Sequence, residues 1–145
     1  MNTTRLAAWL SGLWAGLLLG IAAIGAPAGF AAGPHELGGR IAGRMFAQEA
    51  YLSLALAVAL FLMLRRRARV AAEAGTGPLL STDMLLVLGT LFCTIAGYFA
   101  LQPMMAAARA GQGAWSFGAL HGVSSALYGL KALLVALLAW RLAPR

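Results

Sequence analysis

The run FGALHGVSSALYGLKALLVALLAWRL, residues 117–142, is apolar enough to span a membrane, yet it carries a histidine, two serines, a tyrosine and a lysine. A bilayer core about 30 Å thick needs roughly 20 apolar residues in a helix. Three other stretches also meet this requirement, and helices are predicted at about 6–30, 38–64, 83–106 and 116–141. The fold is therefore predicted to be all-α, a single four-helix transmembrane bundle over residues 1–145.

The composition supports a membrane protein, because 61% of the residues are hydrophobic and only 10% are charged, far from the average of soluble domains. The net charge of +7 comes from arginines that flank the apolar spans. We therefore expect the lipid bilayer as the partner of this charge, and no nucleic acid. The single cysteine, Cys93, excludes an internal disulfide and a CxxC pair.

The arginines beside the spans predict the orientation, because positively charged loops are retained in the cytoplasm. A topology with both termini inside places most of them in the cytoplasm, namely Arg5, Arg65, Arg66, Arg67, Arg69, Arg141 and Arg145. It leaves only Arg40, Arg44 and Arg109 outside. We predict an N-in/C-in protein that crosses a bacterial cytoplasmic (inner) membrane several times.

The first helix could instead be a cleaved signal peptide, because small residues follow the apolar run. The apolar core of a signal peptide usually spans about 7–15 residues. The run from Leu6 to Ile24 is longer than that, so we expect the first helix to be retained.

Polar side chains recur at helical spacing on three of the predicted helices, and each set falls on one face. The sets are Arg40, Arg44, Gln48 and Tyr51; Thr90, Thr94, Tyr98 and Gln102; and His121, Ser124, Ser125, Tyr128 and Lys131. Polar groups inside spans usually face the bundle interior or a water-filled cavity, although serine and threonine also bond to carbonyls of their own helix. We predict an outward-facing intramembrane pocket with these ligand-binding candidates: Arg40, Arg44, Gln48, Tyr98, Gln102, His121, Ser124, Ser125 and Tyr128.

Glu49 departs from this pattern, because it lies about 180° from Arg40 on the helical wheel. Its partner is therefore expected on another helix, and Lys131 is the nearest candidate in depth. Arg44 is a second candidate. A structural ion pair and a proton-coupled role both fit a carboxyl group at this position.

Metal, cofactor and enzyme chemistry find little support. His121 with Met104 and Met105 is the best candidate metal site, because thioethers suit Cu(I); methionine is also a common apolar filler. Haem needs axial ligands, and the only two histidines, His35 and His121, are both near the outer side. No nucleophile with an adjacent base and no acid pair is evident, so we expect no cofactor and lean against an enzyme.

Glycines at every fourth position form smooth stripes that allow close helix packing. The longest consists of Gly12, Gly16 and Gly20, and shorter pairs occur at Gly39 and Gly43 and at Gly118 and Gly122. These stripes fit packing within the chain, and they equally fit an interface with a second copy or with another subunit of a membrane complex.

Three segments resemble motifs of a known family: AGRMFAQEAYLS (42–53), YFALQPMMAA (98–107) and FGALHGVSSALYGL (117–130). They are similar to the domain of unknown function 4149, whose eukaryotic relatives are the transmembrane protein 205 group. The matching positions are Gly43, Arg44, Phe46, Pro103, Phe117, His121, Gly122, Ser124 and Ser125. Tyr128 departs from the asparagine or similar polar residue usual there. The resemblance implies a four-helix membrane domain and brings no established reaction or ligand.

Three functions remain from the sequence. The first is a membrane protein that handles a small solute or ion in its pocket, and the second is a structural or assembly subunit of a membrane complex. The third is a membrane protein that binds copper or haem. The first two differ in whether the polar side chains point at one cavity or disperse among helix contacts.

Overall fold

Four long helical spans build the molecule, and a computed structural model describes residues 3–144. The first span consists of α1 (Thr3–Gly20), a π-helical segment (Ile21–Gly25) and α2 (Ala26–Ala31). The second is α3 (His35–Glu73). The third consists of α4 (Thr82–Thr94), a π-helical segment (Ile95–Ala100) and α5 (Leu101–Arg109), and the fourth is α6 (Phe117–Leu142). All four are long and apolar enough to cross a membrane, so the prediction of an all-α, four-helix membrane protein is confirmed.

The second span is longer than the sequence analysis predicted. It ends at Glu73 instead of near residue 64, and it carries the arginine cluster at 65–69 as helix rather than loop. Arginine has a high helix propensity, and beyond the apolar core its charge can be hydrated without breaking the helix. Ser81 and Ser116 cap α4 and α6 by accepting a hydrogen bond from the amide three residues later, at 3.3 and 3.2 Å.

A π-helical segment precedes a proline in both the first and the third span. Pro27 and Pro103 have no amide hydrogen, so the helix before each of them loses a hydrogen bond, and a local π adjustment in a transmembrane helix re-satisfies backbone groups freed in this way. In the first span this changes the packing, because α1 packs against both α3 and α6, whereas α2 packs mainly against α3. The first span therefore leaves the fourth at its π segment, and a gap opens between their distal halves.

The apolar core occupies the half of the bundle that carries the chain ends. It contains Trp14 and Leu18 from the first span, Leu60 from the second, Val87 from the third and Leu138 from the fourth. All of these side chains are fully buried. Since the interior of this half is closely packed, the space between all four spans lies in the distal half.

The glycine stripes face away from the chain. A Cβ atom built on Gly12, Gly16 or Gly20 would have no atom within 4 Å, and the same holds for the pairs 39 and 43 and 118 and 122. The interpretation that these stripes pack within the chain is therefore wrong. The reason is that α1 buries the opposite face, which carries Ser11 and Trp14.

Candidate functional site

A cavity of about 430 Å³ lies among all four spans in the distal half of the bundle. Its walls are formed by Ala22, Ala26, Phe30, Phe46, Glu49, Cys93, Thr94, Gly97, Tyr98, Gln102, His121, Ser124, Ser125, Tyr128, Gly129 and Lys131. The wall residues of the third span at positions 93, 94 and 97 are buried, whereas Ala22, His121, Ser125 and Gly129 are exposed. The open side therefore lies between the first and fourth spans, where the π segment separates them.

The closed end of the cavity is a buried ion pair between the second and fourth spans. Lys131 Nζ donates to both carboxylate oxygens of Glu49, at 2.7 and 2.9 Å, and each residue is only 3% exposed. Ser53, one helical turn after Glu49, donates to Oε1 of the same carboxylate. Trp14 Nε1 donates to the Ser53 hydroxyl oxygen at 2.9 Å. The pair thus belongs to a network that joins three of the four spans.

Removing two charges from water is costly, and a buried pair persists only where hydrogen bonds satisfy its polar atoms. Glu49 meets this condition, because its carboxylate accepts three hydrogen bonds. Lys131 uses two of its three ammonium hydrogens on Glu49, and its nitrogen lies 4.8 Å from the centre of the Tyr128 ring. One lysine donor therefore remains beside the cavity.

The serine and tyrosine on α6 bind backbone carbonyls of neighbouring spans. Ser124 Oγ donates to the carbonyl of Gly97 at 2.7 Å, inside the π segment of the third span. Tyr128 Oη donates to the carbonyl of Leu18 at 2.9 Å, just before the π segment of the first span. The polar face of the fourth helix thus forms a hydrogen bond within or just before each of the two π-helical segments that border the cavity.

Removing either of these hydrogen bonds should destabilise the bundle. We expect Ser124→Ala and Tyr128→Phe each to lower the free energy of unfolding by about 1 kcal/mol, the usual net worth of one hydrogen bond. Ser125→Ala is the matched control, because Ser125 lines the cavity but makes no hydrogen bond within residues 3–144. Thermal unfolding in detergent measures the three variants. An equal loss at Ser124 and Ser125 would contradict the role of the carbonyl bonds.

A stack of side chains orients His121 at the open side of the cavity. The imidazole stacks on the Phe117 ring with centroids 5.6 Å apart, and the guanidinium of Arg109 lies 4.4 Å from the centre of the same Phe117 ring. This cation–π contact connects the end of α5 to the start of α6. His121 is thereby held against the cavity without a charged partner of its own.

The comparison with known families agrees with the membrane fold. A family model described as Domain of unknown function (DUF4149) matches residues 9–114, which is more than half of the chain. The chain belongs to this family. No curated protein and no solved structure matches it.

The matched part of this DUF4149 domain covers the first span from Trp9 onward and the whole of the second and third spans, with Glu49, Cys93 and Gln102. The fourth span lies outside the matched residues, although the resemblance noted in the sequence is strongest there. Lys131 and the HGVSS run at 121–125 are therefore features that the family match does not cover.

Six of the nine ligand-binding candidates come together in the DUF4149 domain, and three do not. Tyr98, Gln102, His121, Ser124, Ser125 and Tyr128 line the cavity. Arg40, Arg44 and Gln48 are exposed and lie outside it. This corrects their expected placement, and the reason is that α3 buries the face of Glu49 and Ser53, nearly opposite the arginines on the helical wheel.

The candidate metal ligands are not grouped around one point in the cavity. His121 lines it, but neither Met104 nor Met105 is among its walls. Met104 is 42% exposed whereas Met105 is buried, so the two thioethers lie in different surroundings. Within residues 3–144 no three His, Cys, Asp or Glu side chains are grouped as metal ligands.

Several cavity residues were not among the ligand-binding candidates. Cys93 and Gly97 on the third span, Phe30 at the end of the first and Phe46 on the second are apolar or small, so no polar pattern marks them. Ser53 could have been found, because it follows Glu49 by four residues and therefore shares its face.

Proposed function

We propose that this DUF4149 domain binds a small solute carrying a carboxylate or carbonyl group inside the cavity. The observation that carries the proposal is that the cavity reaches the buried pair of Glu49 and Lys131. Polar and ionisable groups in transmembrane segments are rare and commonly mark ligand or ion pathways.

The hydrogen bonds of the pair select the chemistry of the solute. Glu49 already accepts three hydrogen bonds, which leaves its oxygens little further capacity. Lys131 keeps one ammonium hydrogen that no protein oxygen within residues 3–144 accepts. A ligand that reaches the closed end therefore gains most by offering an acceptor oxygen.

The remaining walls favour an amphipathic solute. Gln102, His121 and Ser125 add polar groups, while Phe30 and Phe46 add aromatic surface. A volume of about 430 Å³ lies within the usual range of small-molecule sites, which are mostly apolar with a few placed polar groups. A short-chain carboxylate fits both parts of this lining.

The distribution of arginines supports a location in a bacterial inner membrane with both termini in the cytoplasm. The cavity lies in the half of the bundle remote from the chain ends. In this orientation its open side belongs to the periplasmic half of the membrane, and solute would enter from there.

The single cysteine lines the cavity and allows a direct test of access. We expect Cys93 to react with sulfonatoethyl methanethiosulfonate, an anionic reagent that does not cross membranes, when it is added to spheroplasts. Gly129→Phe should slow this reaction several-fold, because a side chain at Gly129 meets no atom within 4 Å and fills the cavity. Ala126→Phe is the control, since position 126 is exposed and outside the cavity walls.

Competition then tests solute binding itself. Hexanoate should protect Cys93 from the reagent, and hexylammonium, which has the same chain and the opposite charge, should protect much less. Reaction of Cys93 only after unfolding would reject an accessible cavity. Protection by neither amphiphile, or equally by both, would reject the proposed solute and favour the structural or assembly role.

A further inference from the structure

We infer that a second site, at the end of the bundle carrying both chain ends, binds one anionic phospholipid of the surrounding bilayer. Two adjoining cavities form this site, one basic and one apolar. The site is separate from the solute cavity and does not depend on the function proposed for it.

The basic cavity has a volume of about 400 Å³, and we call it the headgroup pocket. Its charged walls are Arg5, Arg67, Arg141 and Asp83. Arg141 Nε donates to Asp83 Oδ1 at 2.6 Å, so the aspartate offsets one arginine. Arg5 and Arg67 make no ion pair within residues 3–144. Three arginines against one aspartate leave an excess of two positive charges, which suits a phosphate group.

The apolar cavity, which we call the acyl groove, has a volume of about 620 Å³ and runs between the first and fourth spans. It shares Arg5 and the chain segment 143–144 with the headgroup pocket. Further along, it is lined by Trp9, Gly12 and Leu13. The groove is open at Gly12, because a Cβ atom there would meet nothing within 4 Å.

The position of the two cavities relative to each other favours a lipid over other occupants. Trp9 is 69% exposed, and tryptophan is enriched where the apolar core of a bilayer meets the headgroups. Arg5, which lines both cavities, precedes Trp9 by one helical turn on the side of the chain ends, so the headgroup pocket continues the groove from Trp9 towards the membrane surface. Basic pockets between transmembrane helices bind anionic headgroups. A free anion would leave the apolar groove empty, and a second copy that presented the same face would bring its own Arg5 and Arg67 towards these arginines.

Native mass spectrometry of the full chain in detergent tests the headgroup pocket. Phosphatidylglycerol should bind more tightly than phosphatidylcholine with the same acyl chains. Arg5→Gln with Arg67→Gln should weaken phosphatidylglycerol binding by roughly fivefold for each arginine, since one basic residue near an anionic surface is worth about 1 kcal/mol. Arg65→Gln with Arg66→Gln removes the same charge from exposed positions outside the pocket and should change binding much less.

A second pair of variants tests the acyl groove. Gly12→Leu should fill the groove and weaken phosphatidylglycerol binding, whereas Gly16→Leu should not, because position 16 is equally open but lies outside both cavities. Equal affinity for the two lipids, or equal effects of the two arginine pairs, would overturn the inference. Displacement of the lipid by glycerophosphoglycerol at the same concentration would also overturn it, because that compound has no acyl chains. So would the finding that the protein is a dimer and that Gly12→Leu dissociates the dimer without changing lipid binding.

Discussion

Replacing Lys131 with methionine is expected to lower the free energy of unfolding by about 3–5 kcal/mol, the cost of leaving one partner of a buried ion pair uncompensated. Glu49 would then keep its hydrogen bond from Ser53 but lose both bonds from the ammonium group. No other lysine can replace Lys131 as the partner of Glu49, because it is the only lysine in the chain. Reversible unfolding in mixed detergent and dodecyl sulfate measures the loss.

The double variant distinguishes the loss of the ion pair from a loss of side-chain packing at the same positions. Lys131→Met with Glu49→Gln should cost much less than the sum of the two single changes, since residues in direct contact are not additive. Arg69→Met is the control for removing an ion pair, because Arg69 and Glu73 are paired on the exposed surface and such pairs contribute little. Additive losses in the double variant would show that Glu49 and Lys131 do not stabilise each other.

The second large effect is expected at Gly38. A Cβ atom there would lie 2.7 Å from the Cα atom of Phe30, so a larger residue would push α2 away from α3. Overpacking of this kind typically costs about 1–3 kcal/mol, and we expect that loss for Gly38→Ala in the same unfolding experiment. Because Phe30 lines the solute cavity, the reaction rate of Cys93 should change as well.

The neighbouring glycine provides the control for this change. A Cβ atom on Gly39 would meet nothing within 4 Å, so Gly39→Ala should be neutral or slightly stabilising, since alanine has the higher helix propensity. A loss at Gly39 as large as that at Gly38 would mean that the contact with Phe30 is not the cause. An unchanged reaction rate of Cys93 in Gly38→Ala would show that the position of Phe30 does not affect access to the cavity.

The solute cavity and the headgroup pocket use different parts of the same helix. The first half of α6 supplies several polar groups to the solute cavity, while its end supplies Arg141 to the headgroup pocket. Between them, Leu138 and Val135 are fully buried in the apolar core. Variants in one cavity should therefore leave the other unchanged, because closely packed apolar side chains separate them.

The number and approximate position of the spans follow from the sequence, because a bilayer requires a minimum length of apolar helix and charged residues end each run. The helical wheel also separates Glu49 from the arginines of the same helix. It does not reveal which of these two polar faces turns inward. Packing decides this: the face of Glu49 also carries Ala42, Ala50, Ser53 and Ala57, all buried, and these small side chains let neighbouring helices approach.

The tertiary structure alone decides which faces meet. Periodicity tells which residues share a face, but the burial of that face depends on the complementary surface of another helix. The glycines of α1 look suited to close packing, yet the face with Trp14 is buried because Trp14 reaches Ser53. The cavity likewise depends on a change of packing partner, because α1 packs against both α3 and α6, whereas α2 packs mainly against α3. That change of partner occurs at a π segment, where the proline that follows can be read from the sequence but the direction of the chain cannot.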